Sequence, residues 1–135
     1  MISVMIAGPY EVVRHGLKEI LEQESDIRVT REACSVKELL DGVPPRDCDV
    51  LIFDFDMQRR GGIDVLRELA AQDTAMPIIA ISIQSEEEFG GRVLRAGAKA
   101  YLTKGSISET LVRAVRKACA TEPLVGAALV QVPPS

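Results

Sequence analysis

Three residues of this chain have side chains suited to a single chemistry. Asp54 closes the apolar run Val50-Leu51-Ile52-Phe53, Ser82 closes Ile78-Ile79-Ala80-Ile81, and Lys104 follows Ala100-Tyr101-Leu102-Thr103. A carboxylate after four apolar residues is costly to bury unless it is paired or used. An Asp oxygen can accept a phosphoryl group, and a hydroxyl and an ammonium can stabilise the oxygens of that group. The same three residues also make a structural Asp54–Lys104 ion pair beside a capping Ser82. From the side-chain types alone both readings stay open.

The elements that bring these residues together are legible as short apolar runs alternating with amphipathic stretches. Ile2 to Ala7 is nearly all apolar, as a strand buried on both faces requires. Ile27 to Ala33 alternates apolar and polar, which suits a strand near a sheet edge. Helical stripes follow the strands: Val13, Leu17, Ile20 and Leu21; then Val36, Leu39, Leu40 and Val43, stopped by Pro44-Pro45. Later stripes are Ile63, Leu66, Leu69 and Ala70; then Phe89, Val93 and Ala96, closed by Gly97; then Ile107, Leu111, Val115 and Ala118. Ser35 and Glu38, Ser85 and Glu88, and Ser106 and Glu109 have capping-box spacing at three helix starts. Five strands separated by single helices require parallel pairing and right-handed crossovers. The predicted fold is α/β: a flavodoxin-like (βα)5 three-layer sandwich with a parallel five-stranded sheet in the order 2-1-3-4-5. Ligands of such sheets bind at the carboxyl ends of the strands. Those ends are Ala7-Gly8-Pro9, Asp54-Phe55-Asp56, Ser82 and Thr103-Lys104.

Composition narrows the function classes. The 135 residues suit one compact domain. Hydrophobic residues make up 47% and charged residues 27%, so the chain is globular. The 16 Lys and Arg against 20 Asp and Glu argue against a dedicated nucleic-acid-binding domain, which carries a basic excess. Trp is absent and aromatics are 4%, so an aliphatic core is expected. Cys34, Cys48 and Cys119 do not pair evenly and have no metal-site spacing. The N-terminus lacks a basic leader and a cleavage pattern, and no apolar run reaches a membrane span. A reduced, soluble, cytoplasmic protein without a membrane partner is expected.

The sequence resembles the receiver domain of two-component response regulators, within the NarL/FixJ (LuxR-type) branch, over roughly residues 1–120. Val13-Arg14-His15-Gly16-Leu17, Val50-Leu51-Ile52-Phe53-Asp54 and the run from Arg95 to Lys104 carry the resemblance. By it, Asp54 takes the phosphoacceptor position, Ser82 that of the switch hydroxyl, Tyr101 the aromatic switch and Lys104 the invariant-type lysine. Gly62 matches the glycine that opens the third helix, and Met57 the methionine three residues past the acceptor. The resemblance implies a sensor histidine kinase and a homodimer as partners. DNA would be contacted only through a C-terminal helix-turn-helix domain.

The departures bear on chemistry. Receivers end their first strand with two adjacent acidic residues, which join the acceptor Asp in holding Mg²⁺. This chain has Gly8-Pro9 there, and neither side chain can ligate a metal. Octahedral Mg²⁺ held by Asp54 alone would lose orders of magnitude in affinity. Asp56 and Glu11 are weak substitutes that no spacing compels. The expectation is no cofactor and little or no Mg²⁺-dependent modification of Asp54, which pairs instead with Lys104, Arg59 or Arg60. Pro9 at a first helical position with Gly8 as N-cap would point a helix N-terminus at that carboxylate. Gln58 replaces a usual proline, and Gly61 a frequent acidic residue.

The other features weigh less. Gly90-Gly91 weakens the fourth helix by about 1 kcal/mol per glycine. His15 reads as a surface residue, and Arg113, Arg116 and Lys117 as a solvated face or half of a dimer contact. Residues 1–120 read as the receiver and 121–135 as a linker or tail. Leu124 to Leu129 resembles a linker helix cut from its partner. The leading function is an atypical receiver of a transcriptional regulator, signalling through protein contacts rather than ordinary phosphotransfer, and not an enzyme. An ordinary phospho-accepting receiver at Asp54 is the alternative. A more distant one is a haloacid-dehalogenase-like phosphatase using Asp54-Phe55-Asp56.

Overall fold

A computed structural model describes residues 1–42, 47–57, 61–72 and 76–120. Its strands are β1 (Ile2–Ala7), β2 (Ile27–Ala33), β3 (Val50–Asp54), β4 (Ile78–Ser82) and β5 (Ala100–Thr103). They form one sheet in the order β2-β1-β3-β4-β5, and every pairing is parallel. The predicted topology is therefore the observed one. The register sets Ala7 beside Phe53, Asp54 beside Ile81, and Ser82 beside Thr103. The strand ends that carry polar side chains thus finish at one edge.

Helices α1 (Glu11–Glu22) and α5 (Ile107–Ala118) cover one face. Leu17, Leu21, Leu111 and Val115 pack there on Val4, Ile6, Val50, Ile52, Ile79 and Ile81. Helices α2 (Val36–Gly42), α3 (Gly62–Gln72) and α4 (Gly91–Arg95) cover the other. Leu39, Leu66, Leu69 and Val93 pack there on Met5, Leu51, Phe53 and Ala80. All five residues of β3 and all five of β4 are buried, which explains their unbroken apolar runs. Burying each large aliphatic side chain stabilises by about 1.5–3 kcal/mol. β2 lies at the sheet edge and exposes Arg28, Thr30, Arg31 and Glu32, matching its alternating sequence.

The structure corrects several local expectations. The first helix starts at Glu11 with Tyr10 as its N-cap, two residues later than a Gly8-Pro9 start. The first helical N–H groups, of Val13 and Arg14, go to the Tyr10 carbonyl at 3.1 Å, whereas Gly8 continues the sheet, its N–H donating to the Ala33 carbonyl at 2.9 Å. Ser35 does cap α2: the Glu38 N–H donates to its Oγ at 3.1 Å. The Glu38 carboxylate reaches the Cys34 N–H at 2.7 Å rather than that of Ser35. Ser106 does not cap α5, since its hydroxyl turns back to Thr103 at 3.1 Å. The fourth helix is split. Glu86–Gly90 makes a π-helical turn, and only Gly91–Arg95 is α-helical, so the Gly90-Gly91 pair marks the junction. Gly97 then turns the chain at φ +128°, where a Cβ would lie 2.6 Å from that of Ala70.

Arg116 is held within the fold, pairing with Glu24 at 2.9 Å and Asp26 at 2.8 Å. The core is mostly aliphatic, as expected, with one aromatic seam running through it. Phe53, Phe55, Phe89 and Tyr101 form a continuous series of edge-on ring contacts at centroid distances of 5.7, 4.9 and 6.3 Å. The Pro44-Pro45 stop and the 121–135 tail lie outside the described residues. No helix among the described residues is long and apolar enough to cross a membrane.

Candidate functional site

The predicted site residues meet at the carboxyl edge, around a carboxylate ranked low in the sequence. Asp54 is fully buried at the end of β3. Its Oδ1 accepts the Asp56 N–H at 2.9 Å, and its Oδ2 lies 2.9 Å from Lys104 Nζ. That second contact is ionic, because Oδ2 takes no hydrogen bond of proper angle. Arg59 and Arg60, the other expected partners, lie outside the described residues.

Asp56 follows in a short 3-10 turn, Phe55–Met57, which swings its carboxylate back over the sheet edge. Lys104 Nζ lies 3.0 Å from Asp56 Oδ2, so one ammonium bridges two carboxylates. The Ser82 hydroxyl donates to Asp56 Oδ1 at 3.0 Å. The Ile83 N–H donates to Asp56 Oδ2 at 3.3 Å. Ser82 Oγ in turn accepts the Gln84 N–H at 3.2 Å, and the Gln84 carbonyl accepts the Tyr101 hydroxyl at 2.6 Å. Tyr101 is 3% exposed, with its ring against Phe89. Beside Asp56 lies an open cleft lined by Phe55, Ile83, Phe89 and Arg92.

Burial dominates the electrostatics of Asp54 and raises its pKa above the usual carboxylate value, against the pull of Lys104 and the Asp56 N–H. Burial also works against the Lys104 ammonium, but the Asp54 and Asp56 carboxylates outweigh it and raise the lysine pKa. Lys104 is therefore a firmly held cation, while Asp54 carries its charge at a cost.

Gly8 borders Asp54 from the β1 side. A Cβ on Gly8 would sit 3.3 Å from Asp54 Cβ, slightly tighter than ordinary van der Waals contact, and 3.4 Å from its Oδ2. The Arg14 guanidinium holds this loop in place. It donates to the Gly8 carbonyl at 2.8 Å and pairs with Glu32 of β2 at 2.8 Å. Sequence reasoning placed Arg14 in a motif without a role. Its interval of six residues from Gly8 is a signal readable only once the helix start is known. Glu11 is exposed on the first turn of α1.

Mg²⁺ requires a near-octahedral oxygen set at about 2.1 Å. Asp54 and Asp56 are the carboxylates at this edge, and Lys104 already lies against both. Among the described residues no cluster of three metal-ligating side chains occurs. Gln58, Arg59 and Arg60 add no carboxylate. The residues present do not fit the metal.

With its geometry in view, the chain can be set beside known proteins. It is 31% identical over 116 residues to the response regulator UvrY of Escherichia coli K12, covering 86% of this chain and 53% of UvrY. It is 33% identical to the transcriptional regulatory protein DesR of Bacillus subtilis, covering 86% and 57%. It therefore spans about half the length of the curated relatives it matches. Among solved structures, it superposes on a LuxR-family response regulator from Aurantimonas sp. SI85-9A1 with a TM-score of 0.76. That pair is 25% identical and covers 84% of this chain and 81% of the other. These relatives are named as response regulators or a transcriptional regulatory protein, which does not favour the phosphatase alternative. The response regulator receiver domain model matches residues 4–116, and with the observed sheet order this establishes that the chain belongs to the response regulator receiver family.

Proposed function

We propose that this chain is an atypical receiver that signals through protein contacts, with weak or no Mg²⁺-dependent phosphorylation of Asp54. Asp54 is the phosphoacceptor position, Ser82 and Tyr101 are the switch pair, and Lys104 is the phosphate-contact lysine held in another duty. One observation carries the reading: a single lysine ammonium bridges Asp54 and Asp56 where a receiver needs a metal. Gly8-Pro9 supplies no replacement carboxylate, and Asp54 is buried with the Lys104 ammonium already against its Oδ2. Residues 1–120 form the receiver, and 121–135 lead toward a DNA-binding domain of a transcriptional regulator. A sensor histidine kinase and a second copy of the chain are its candidate partners. Intact-mass analysis after incubation with acetyl phosphate and Mg²⁺ tests the reading. An unshifted mass is expected, and a phosphoryl adduct lost in Asp54→Asn would refute it.

A further inference from the structure

A phosphoryl group on a carboxylate adds anionic oxygens, which are held by hydroxyl, ammonium and backbone N–H donors. Donors of these three kinds line the edge beside Asp54, and here they have already converged on a different anion. Asp56 Oδ1 takes the Ser82 hydroxyl, and Asp56 Oδ2 takes the Ile83 N–H and faces the Lys104 ammonium. The Asp56 N–H is tied back to Asp54, so the carboxylate is held at a set distance above the acceptor position. We propose that Asp56 is a built-in stand-in for a phosphoryl group, holding the switch elements in one arrangement without modification.

The connection reaches beyond the site. Ser82, fixed by Asp56, accepts the Gln84 N–H, and the Gln84 carbonyl accepts the Tyr101 hydroxyl. Asp56 thereby sets the backbone of the loop after β4, and that loop helps hold Tyr101 inside. Tyr101 packs on Phe89 of the π-helical turn before α4, so the same contacts fix this wall of the receiver. A serine, a backbone amide and a lysine all aimed at one carboxylate is more than an ion pair requires. Lys104 and Asp54 alone would satisfy each other's charge. The inference rests on the reading of Asp54 as an unmodified acceptor position, and it assigns Asp56 as a positioning residue.

The chain offers its own probe. It has no Trp and two Tyr, and Tyr10 is exposed while Tyr101 is buried. In a Tyr10→Phe background, Tyr101 is the sole tyrosine fluorophore. Acrylamide should quench it weakly, and Asp56→Ala should raise the quenching constant several-fold. Ser82→Ala cuts the same chain one link later and should do likewise, which keeps the test decisive if Asp56→Ala fails to fold by far-UV circular dichroism. Unchanged quenching in the folded variants overturns the stand-in. The mass assay with acetyl phosphate reads the state of Asp54 separately. A phosphorylated parent chain would sink the proposed function, whereas the quenching series alone decides the role of Asp56.

Discussion

Replacing Lys104 with Met tests whether the ammonium is what makes two adjacent carboxylates tolerable. At 2.9 Å from Asp54 Oδ2, a unit charge attracts by about 6 kcal/mol at an effective dielectric constant near 20. Much of that is offset by taking the ammonium partly out of water, and breaking a buried pair costs about 3–5 kcal/mol net. Lys104 retains 22% side-chain exposure, which favours the low end, about 3 kcal/mol. A ceiling follows from protonation. Asp54 can take a proton instead of remaining an unpaired anion, and at 1.36 kcal/mol per pH unit the rise from 3.8 to pH 7 limits its share to about 4 kcal/mol.

The pH dependence carries the diagnostic sign. The Asp54 pKa is already raised in the parent chain, and Lys104→Met raises it further. A raised carboxylate pKa destabilises the fold above that pKa, and the penalty fades as pH falls toward 3.8, where the carboxyl is neutral in both states. The loss in Lys104→Met should therefore be largest near pH 7 and shrink toward pH 5, by no more than the about 2.7 kcal/mol that two pH units allow. Urea unfolding at the two pH values reads this directly. With a slope near 1.5 kcal/mol per molar, the midpoint should fall by about 2 M at pH 7. A loss below about 1 kcal/mol, or one independent of pH, would refute the reasoning, and Asp54→Asn added to Lys104→Met should restore most of the stability.

Other substitutions probe the close approaches. Gly97→Ala combines a positive φ with a Cβ at 2.6 Å from Ala70 Cβ; thermal unfolding should drop by about 10 °C, for a cost near 3 kcal/mol. Gly8→Asp adds a third carboxylate beside Asp54 and Asp56 and should destabilise the metal-free chain by about 1–3 kcal/mol. Millimolar Mg²⁺ should then raise the melting temperature of Gly8→Asp but leave the parent chain unmoved. An equal shift in both would show that the parent already holds the metal.

β3 and β4 were legible because their apolar runs are buried on both faces and tolerate few other residues, and β2 because its alternation fits a sheet edge. The helix stripes were legible because Leu17, Leu21, Leu66, Leu69, Leu111 and Val115 repeat with the helical period and meet one core or the other. The helix starts were less so. Ser35, Ser85 and Ser106 share one motif, yet Ser106 spends its hydroxyl on Thr103, a contact set by the turn between β5 and α5. The start of α1 also lies later than the sequence suggests, because the chain stays in the sheet through Gly8 and the Tyr10 carbonyl takes the first helical N–H groups. Capping depends on which partner arrives, and local sequence does not name it.

Types and strand ends in the sequence determined that Asp54, Ser82 and Lys104 would share one edge, since parallel strands of a doubly wound sheet all finish there. The resemblance to receivers added that the two acidic residues that family carries there are replaced by Gly8 and Pro9. Only the tertiary structure decided what fills the gap. Asp56 is two residues from Asp54 in sequence, and its place depends on a 3-10 turn that redirects the side chain. Ser82, Ile83 and Lys104 reach it from elements 26 or more residues away. A hydrogen-bond network is a property of side-chain directions in space, and those follow from how the strands register and how the loops after them turn.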